Sequence, residues 1–294
     1  MRVALIGPGR VGTLLAMAGA RAGWRVAAVA GGREVSRTSL AARVAGLRTF
    51  ADPAEAVVDA DLVLLTVPDD VIAAVVDGLV RADALVPEQR VVHVAGSRGL
   101  DVLRRAQLAG AQVAACHPAM TIPAGADDPD LLVGVAWAVT AAPGDRAWAD
   151  ELVVALGGDP HQVPDDARVT YHAALTLASN AVGAAVVAAR RLLLAARVED
   201  PEAFLGPLAH ASVDNAATTG AAALTGPIVR GDVGTVAAHL DRLAADLPEL
   251  LPAYRALAQA ILEPVRPSLG PAVAAALDDL LAGGDPGAGP AAKG

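Results

Sequence analysis

Cysteine occurs once in these 294 residues, as Cys116, so neither an intramolecular disulfide nor a cysteine-built metal centre can form. That usage fits a reducing cytosol, and no metal is expected. Aromatic residues make up only 2% of a chain that is 54% hydrophobic, which leaves Ala, Val and Leu to fill the core. Lysine is confined to Lys293, the net charge is -9, and no block of Lys and Arg occurs anywhere. Nucleic acid is therefore an unfavourable partner, because phosphate binding needs a basic face. The opening "MRVALIGPGR" has a short apolar run but no polar spacer or small-residue cleavage site before its glycines, which argues against a signal peptide. The longest candidate membrane span, Tyr171 to Ala189, carries His172, Thr176, Ser179 and Asn180. A helix buried in protein is expected there rather than a bilayer span. The expectation is a cytoplasmic protein with no membrane partner.

What is present is alternation. Short β-branched runs at Arg2–Ile6, Arg25–Ala30, Asp61–Thr66, Arg90–Val94, Gln112–Cys116 and Val135–Thr140 alternate with helical stretches such as Val11–Ala22, Val71–Val80, Leu100–Ala109 and Asp145–Leu156. A short strand near Pro160–Val163 closes the series. Such alternation is the signature of a parallel sheet with crossover helices. After "VPDD" (Val163 to Asp166) the strand-like runs stop, and helices are expected at Ala167–Val198, Pro201–Thr219, Gly231–Asp246, Pro248–Glu263 and Pro271–Ala282. "EDPEAF" supports the second of these, with an Asp cap and Pro at the first helical position. The chain thus reads as a sheet domain over residues 1–164 and a helical domain over 165–282. The tail, 283–294, has nothing to bury and is expected to be disordered.

"LIGPGRVG" places Gly7, Gly9 and Gly12 in G-x-G-x-x-G spacing directly after the first strand, with Arg10 and Val11 opening a helix. The first glycine permits a tight turn, the second lets backbone approach a pyrophosphate, and the third lets helix pack on strand. The helix N-terminus then favours the anion. At the end of the second strand, where an NAD site places an acid for the ribose hydroxyls, the chain reads "AGGREVSR". Gly31 and Gly32 stand at the acid position, followed by Arg33, Ser36 and Arg37. Guanidinium and hydroxyl groups bind a 2′-phosphate that a carboxylate would repel, so NADP(H) is the expected cofactor.

In an open parallel sheet, ligands lie outside the carboxyl ends of the strands. Val67 and Pro68 follow the third long strand and would wall the cofactor, Ser97 in "AGSRG" offers a hydroxyl near the nicotinamide, and His117 in "CHPAM" stands where a substrate would lie.

The ordered set "LIGPGRVG", "HVAGSRG", "CHPAM", "YHAALTLASN" and "LTGPIVRGD" resembles the Rossmann-like oxidoreductases whose helical C-terminal domain was long of unknown function. That group is similar in layout to ketopantoate reductases, pyrroline-5-carboxylate reductases and deazaflavin-dependent NADP oxidoreductases. The resemblance spans Met1 to about Leu281. It implies an α/β fold, a Rossmann-type doubly wound parallel sheet followed by an all-α C-terminal domain that forms a homodimer, with the active site between the domains. It also implies ketopantoate (2-dehydropantoate) reduction. The chain departs from the ketopantoate reductase pattern in one respect: the lysine expected four residues before Asn180 is Thr176, and the helix holds no lysine at all.

His172, Thr176, Ser179 and Asn180 form one stripe at about 100° per residue. Buried without partners, such groups would cost about 1–3 kcal/mol each, so they are expected to face a cleft or to bond across a dimer core. Ketone reduction needs a hydride donor and a proton donor. With lysine absent, His172 is the candidate acid, and His117 the other possibility; Thr176 and Asn180 would hold substrate oxygens, and Ser179 would reach the nicotinamide or substrate. A substrate carboxylate would be captured by Thr225 and Arg230 of "LTGPIVRGD", with Asn215 facing the same cleft. The resulting expectation is NADPH-dependent reduction of a small carboxylate-bearing ketone, foremost ketopantoate. The alternatives are an imine reductase of the pyrroline-5-carboxylate type and a non-catalytic NADPH-binding regulatory protein.

Overall fold

The computed structural model describes residues 1–283, and the expected disorder of the tail from residue 284 onward lies outside them. By its internal contacts the chain divides into two compact units, Met1–Asn180 and Ala181–Gly294.

The first unit is a single eight-stranded sheet in the order β3-β2-β1-β4-β5-β6-β7-β8. Its strands are β1 Arg2–Ile6, β2 Arg25–Ala30, β3 Arg48–Thr49, β4 Leu62–Leu65, β5 Arg90–His93, β6 Gln112–Pro118, β7 Ala136–Ala141 and β8 Asp159–Gln162. Its helices are α1 Arg10–Arg21, α2 Glu34–Ala41, α3 Pro53–Val57, α4 Ile72–Arg81, α5 Arg104–Leu108, α6 Arg146–Ala155 and α7 Arg168–Thr176. The β1 and β4 runs "VALI" and "LVLL" are apolar on both faces because helices cover both sides of the sheet. One face packs Leu14 and Leu15 of α1 with Trp148 and Leu152 of α6, and the other packs Ile72, Val76 and Leu79 of α4.

The sheet departs from the expected all-parallel pattern at one place. β7 runs antiparallel to β6, pairing Cys116 with Val139 and Pro118 with Trp137. Between them lies only a 3-10 turn, Pro129–Leu132, and without a helix packed across the sheet the chain simply folds back. β8 then returns parallel to β7 through α6.

The strands end where the sequence changes character, but the contact boundary lies further on, at Asn180. Arg168 explains why α7 joins the sheet: it is fully buried, and its guanidinium donates to Ala95 O (2.7 Å), Thr140 Oγ1 (2.9 Å) and Ala115 O (3.4 Å). The helix expected as one run over Ala167–Val198 is interrupted by a π turn, Leu177–Ala181, before α8 Val182–Ala195. A π turn inserts an extra residue into the α ladder and rotates the side chains beyond it about the helix axis.

In the second unit α9 Pro201–Thr219, α10 Val233–Asp246, α11 Leu251–Val265 and α12 Pro271–Leu281 come after α8. Asp200 accepts from Ala203 N and Pro201 opens α9, as "EDPEAF" implies. The core of this unit is built by α10, α11 and α12 around Val236, Leu240, Leu262 and Leu277. α8 has no fully buried residue and α9 only Pro201. The helical run Asp165–Ala195 is long and apolar enough to cross a membrane, with mean hydropathy 1.4 over its most apolar window, and none of that window is buried in the single chain. The expected burial in protein is therefore not met within one copy.

Candidate functional site

The glycine loop has the three geometries its spacing calls for. Gly7 sits at φ 107, and a β-carbon there would stand 2.8 Å from the backbone of Thr66 and Val67. A β-carbon on Gly12 would stand 2.3 Å from Gly7 O and 2.5 Å from Thr66 Oγ1, so only glycine lets α1 approach β1 and β4 this closely. Gly9, by contrast, has open space above it. It caps α1 without a side-chain bond, and the first turn holds no acid, leaving the N–H groups around Arg10, Val11 and Gly12 for an anion. This loop fits a dinucleotide pyrophosphate.

A cavity of about 520 Å³ runs from Gly9 and Arg10 past Arg33, Ser36, Ser39 and Arg43. Arg37 is not among its walls. Its guanidinium turns back to brace the β2–α2 turn, donating to Gly32 O (2.8 Å) and Gly31 O (3.2 Å), whose positive φ values leave those carbonyls outward. Ser39 and Arg43, one and two helical turns beyond the expected set, take its place in the wall. Asp127 also lines this cavity and pairs with Arg43. Val67, expected with Pro68 to wall the cofactor, lies with its backbone against Gly7, and the exposed Pro68 comes next in the turn that leads to α4.

The second cavity, about 510 Å³, opens at the carboxyl end of β6. His117, Met120 and Ile122 supply one wall; His172, Thr176, Ser179 and Asn180 supply the other. The polar stripe thus faces a cavity, with its last two members carried round by the π turn. Ile122 also joins the two cavities, since its carbonyl accepts from Arg10 (3.4 Å). Thr176 commits its hydroxyl hydrogen to His172 O (2.9 Å), so toward the cavity it can only accept. Ser97 donates to Asp69 (3.3 Å) and likewise keeps acceptor capacity.

Several residues that shape this site lie in or beside the quoted motifs without having been given a role from the sequence. His93 is fully buried on β5; its Nε2 donates to Gly99 O (2.9 Å) and its Nδ1 accepts from Ala95 N (3.2 Å), so the loop bearing Gly96 and Ser97 is pinned at both ends. Asp165 adds a bond from Leu100 N (2.7 Å). Burial pushes His93 down to about 4, and burial followed by the positive charge of Arg168 pushes His117 down to about 4. Tyr171 reaches His117 Nδ1 at 2.9 Å. Cys116, beside His117, is buried and its thiol is pushed up to about 12, which leaves it inert. Among the described residues no cluster of His, Cys, Asp or Glu is arranged to hold a metal. Asn215 on α9, and Thr225 and Arg230 in the turn before α10, belong to the helical unit, and all three are exposed there.

Comparisons with known proteins agree with this architecture. Residues 1–118 match the family described as a Rossmann-like domain, and residues 135–261 match a domain of unknown function, DUF2520. A search of curated proteins finds no match. Among solved structures, a Bacteroides fragilis protein named as a candidate NADP oxidoreductase superposes with a TM-score of 0.76 at 24% identity, over 89% of this chain and 98% of that one. An imine reductase from Pseudomonas sp. gives 0.63 at 17% identity, over 95% and 99%. A pyrroline carboxylate reductase from Plasmodium falciparum, with NADP bound, gives 0.56 at 11% identity, over 94% and 98%. Identities this low speak for shared fold. Along the sequence the chain thus matches first the Rossmann-like model and then the DUF2520 model.

Proposed function

We propose that this protein is an NADP(H)-dependent oxidoreductase that reduces a small carboxylate-bearing ketone, with ketopantoate as the leading substrate. The observation that carries the reading is the adjacency of the glycine loop to the His117–His172 cavity, linked through Arg10 and Ile122. The names of the proteins that share this fold support it, since NADP oxidoreductases and NADP-bound reductases are among them. A reduced nicotinamide, when bound, supplies hydride. Arg33, Ser36, Ser39 and Arg43 would hold the 2′-phosphate that distinguishes NADPH from NADH, and the open face of Gly9 the pyrophosphate.

In the substrate cavity His172 has its imidazole on the wall and no hydrogen-bond partner among the described residues, which leaves it free to deliver a proton. Asn180 and Ser179 offer hydrogen bonds that orient the substrate. A second reading, reduction of a cyclic imine, is supported by the imine and pyrroline carboxylate reductases that share the fold. We also propose that the chain works as a homodimer in the cytoplasm, with α8 and α9 as the contact, and that Thr225, Arg230 and Asn215 anchor a substrate carboxylate.

The test is NADPH oxidation across ketopantoate, pyrroline-5-carboxylate and related acids. Turnover with a keto acid, and slower turnover with NADH, is expected. Tight NADPH binding without turnover of any acceptor would replace the enzyme by a nucleotide-binding regulatory protein.

A further inference from the structure

The two cavity histidines converge. A β-carbon on Gly96 would stand 3.0 Å from His117 Nε2 and 3.1 Å from His172 Nε2, so both nitrogens border the space that glycine leaves empty. The rings meet edge to face at 80°, with centroids 5.9 Å apart. At its far nitrogen His117 is held by the Tyr171 hydroxyl, 2.9 Å from Nδ1, with the two rings also edge to face. Among the described residues that phenol has no other partner, and a phenol O–H facing an imidazole nitrogen is the better donor of the two.

We propose that Tyr171 donates to Nδ1 and so locks His117 in the Nε2–H tautomer, making it a neutral hydrogen-bond donor to a substrate carbonyl oxygen. This deepens, and rests on, the reductase reading above. His117 touches the substrate; Tyr171 is a positioning residue. The charged and titratable groups facing His117 are Arg168 from the floor, His172 from the opposite wall and His93 from the neighbouring strand, and none offers a carboxylate that would stabilise an imidazolium. Burial, and after it the positive charge of Arg168, hold its protonation to about pH 4, so it stays neutral at working pH.

The two histidines therefore divide the labour. As hydride adds to the carbonyl carbon, the C=O π pair moves onto oxygen; the Nε2–H bond from His117 strengthens with that charge, and the proton that completes the alcohol is delivered to that oxygen through the imidazole of His172 on the opposite wall of the same cavity. The same arrangement selects the acceptor. A carbonyl oxygen accepts from Nε2–H, whereas a protonated imine presents its own N–H and a positive charge to a donor backed by Arg168. The cavity therefore favours an oxo substrate over an iminium.

Histidine 15N spectra at pH 7 read the tautomer directly, with the His117 signals identified by their loss in His117→Asn. The expected result is Nε2–H in the natural chain and a tautomer mixture in Tyr171→Phe, whose kcat for a keto acid falls about ten- to a hundredfold with KM and the NADPH Kd within twofold. An Nδ1–H or doubly protonated ring, or a kcat/KM for pyrroline-5-carboxylate above that of every keto acid, would overturn the proposal. If NADPH binds but no acceptor turns over, the reductase reading and the substrate contact fall together; turnover with the wrong tautomer removes the lock alone.

Discussion

Gly96 shows how much one missing side chain can decide. Its backbone is unstrained, so its substitution acts through space alone: the β-carbon of Gly96→Ala would stand 2.3 Å from His172 Cδ2. We expect kcat to drop about a hundredfold with NADPH affinity unchanged, checked by steady-state kinetics beside fluorescence titration of the nucleotide. His93 works through protonation. Its folded value of about 4 lies below the ordinary 6.5, so the unfolded chain binds the proton more readily. The stability it contributes is full above pH 6.5 and is lost as pH falls toward 4, on the order of 3 kcal/mol. Urea unfolding between pH 4.5 and 7 should show that slope, and His93→Gln should cut it to about half, since His117, also held near 4, titrates over the same window. His117 and His172 were open to inspection in the sequence because each belongs to a recognisable motif. Gly96 and His93, inside "HVAGSRG", and Tyr171, inside "YHAALTLASN", stood in motifs too, but their roles were not legible: Gly96 and Tyr171 meet groups distant in the chain, and nothing in the residue order marks His93 as the pin of its own loop.

The helix after the second strand, α2, is where the proposed preference for NADPH over NADH would be set. Arg33, Ser36 and Ser39 face the nucleotide cavity together with Arg43, just past the helix end, while Arg37 turns inward to the glycine turn. Arg43→Ala should weaken NADPH about tenfold or more while leaving NADH within twofold, and Arg37→Ala should weaken both nucleotides alike, because it loosens the turn rather than removing a phosphate partner. Calorimetric titration with each nucleotide separates the two. The sequence pointed to α2, but a run of arginines at nearly every turn does not reveal which of them bends back. The π turn was equally hidden: periodicity over Ala167–Val198 is helical throughout, and nothing in it marks the extra residue at Leu177–Ala181.

The α8 and α9 pair exposes Val187 (61%), Phe204 (59%) and Leu208 (67%), a surface whose apolar area is large for a helix pair left to water. In the proposed homodimer a second copy would cover these helices, together with the apolar helical run that one chain leaves uncovered. Sedimentation equilibrium should give a dimer, and Leu208→Glu should shift it toward monomer while circular dichroism of the monomer stays helical. A monomer that remains soluble at high concentration with these helices exposed would refute the contact.

Residue order alone was enough for every strand but the two-residue β3, for most of the helices and for the cofactor loop, because hydrophobic period, caps and glycine spacing are local properties of a few neighbouring residues. β6 against β7 in antiparallel register, the inward turn of Arg37, and the meeting of two histidine edges over Gly96 all depend on groups 20 or more residues apart, or on which of several similar side chains finds a carbonyl to bond. Those choices are made by packing around a common sheet, where a buried charge such as Arg168 must find its acceptors wherever the chain happens to bring them.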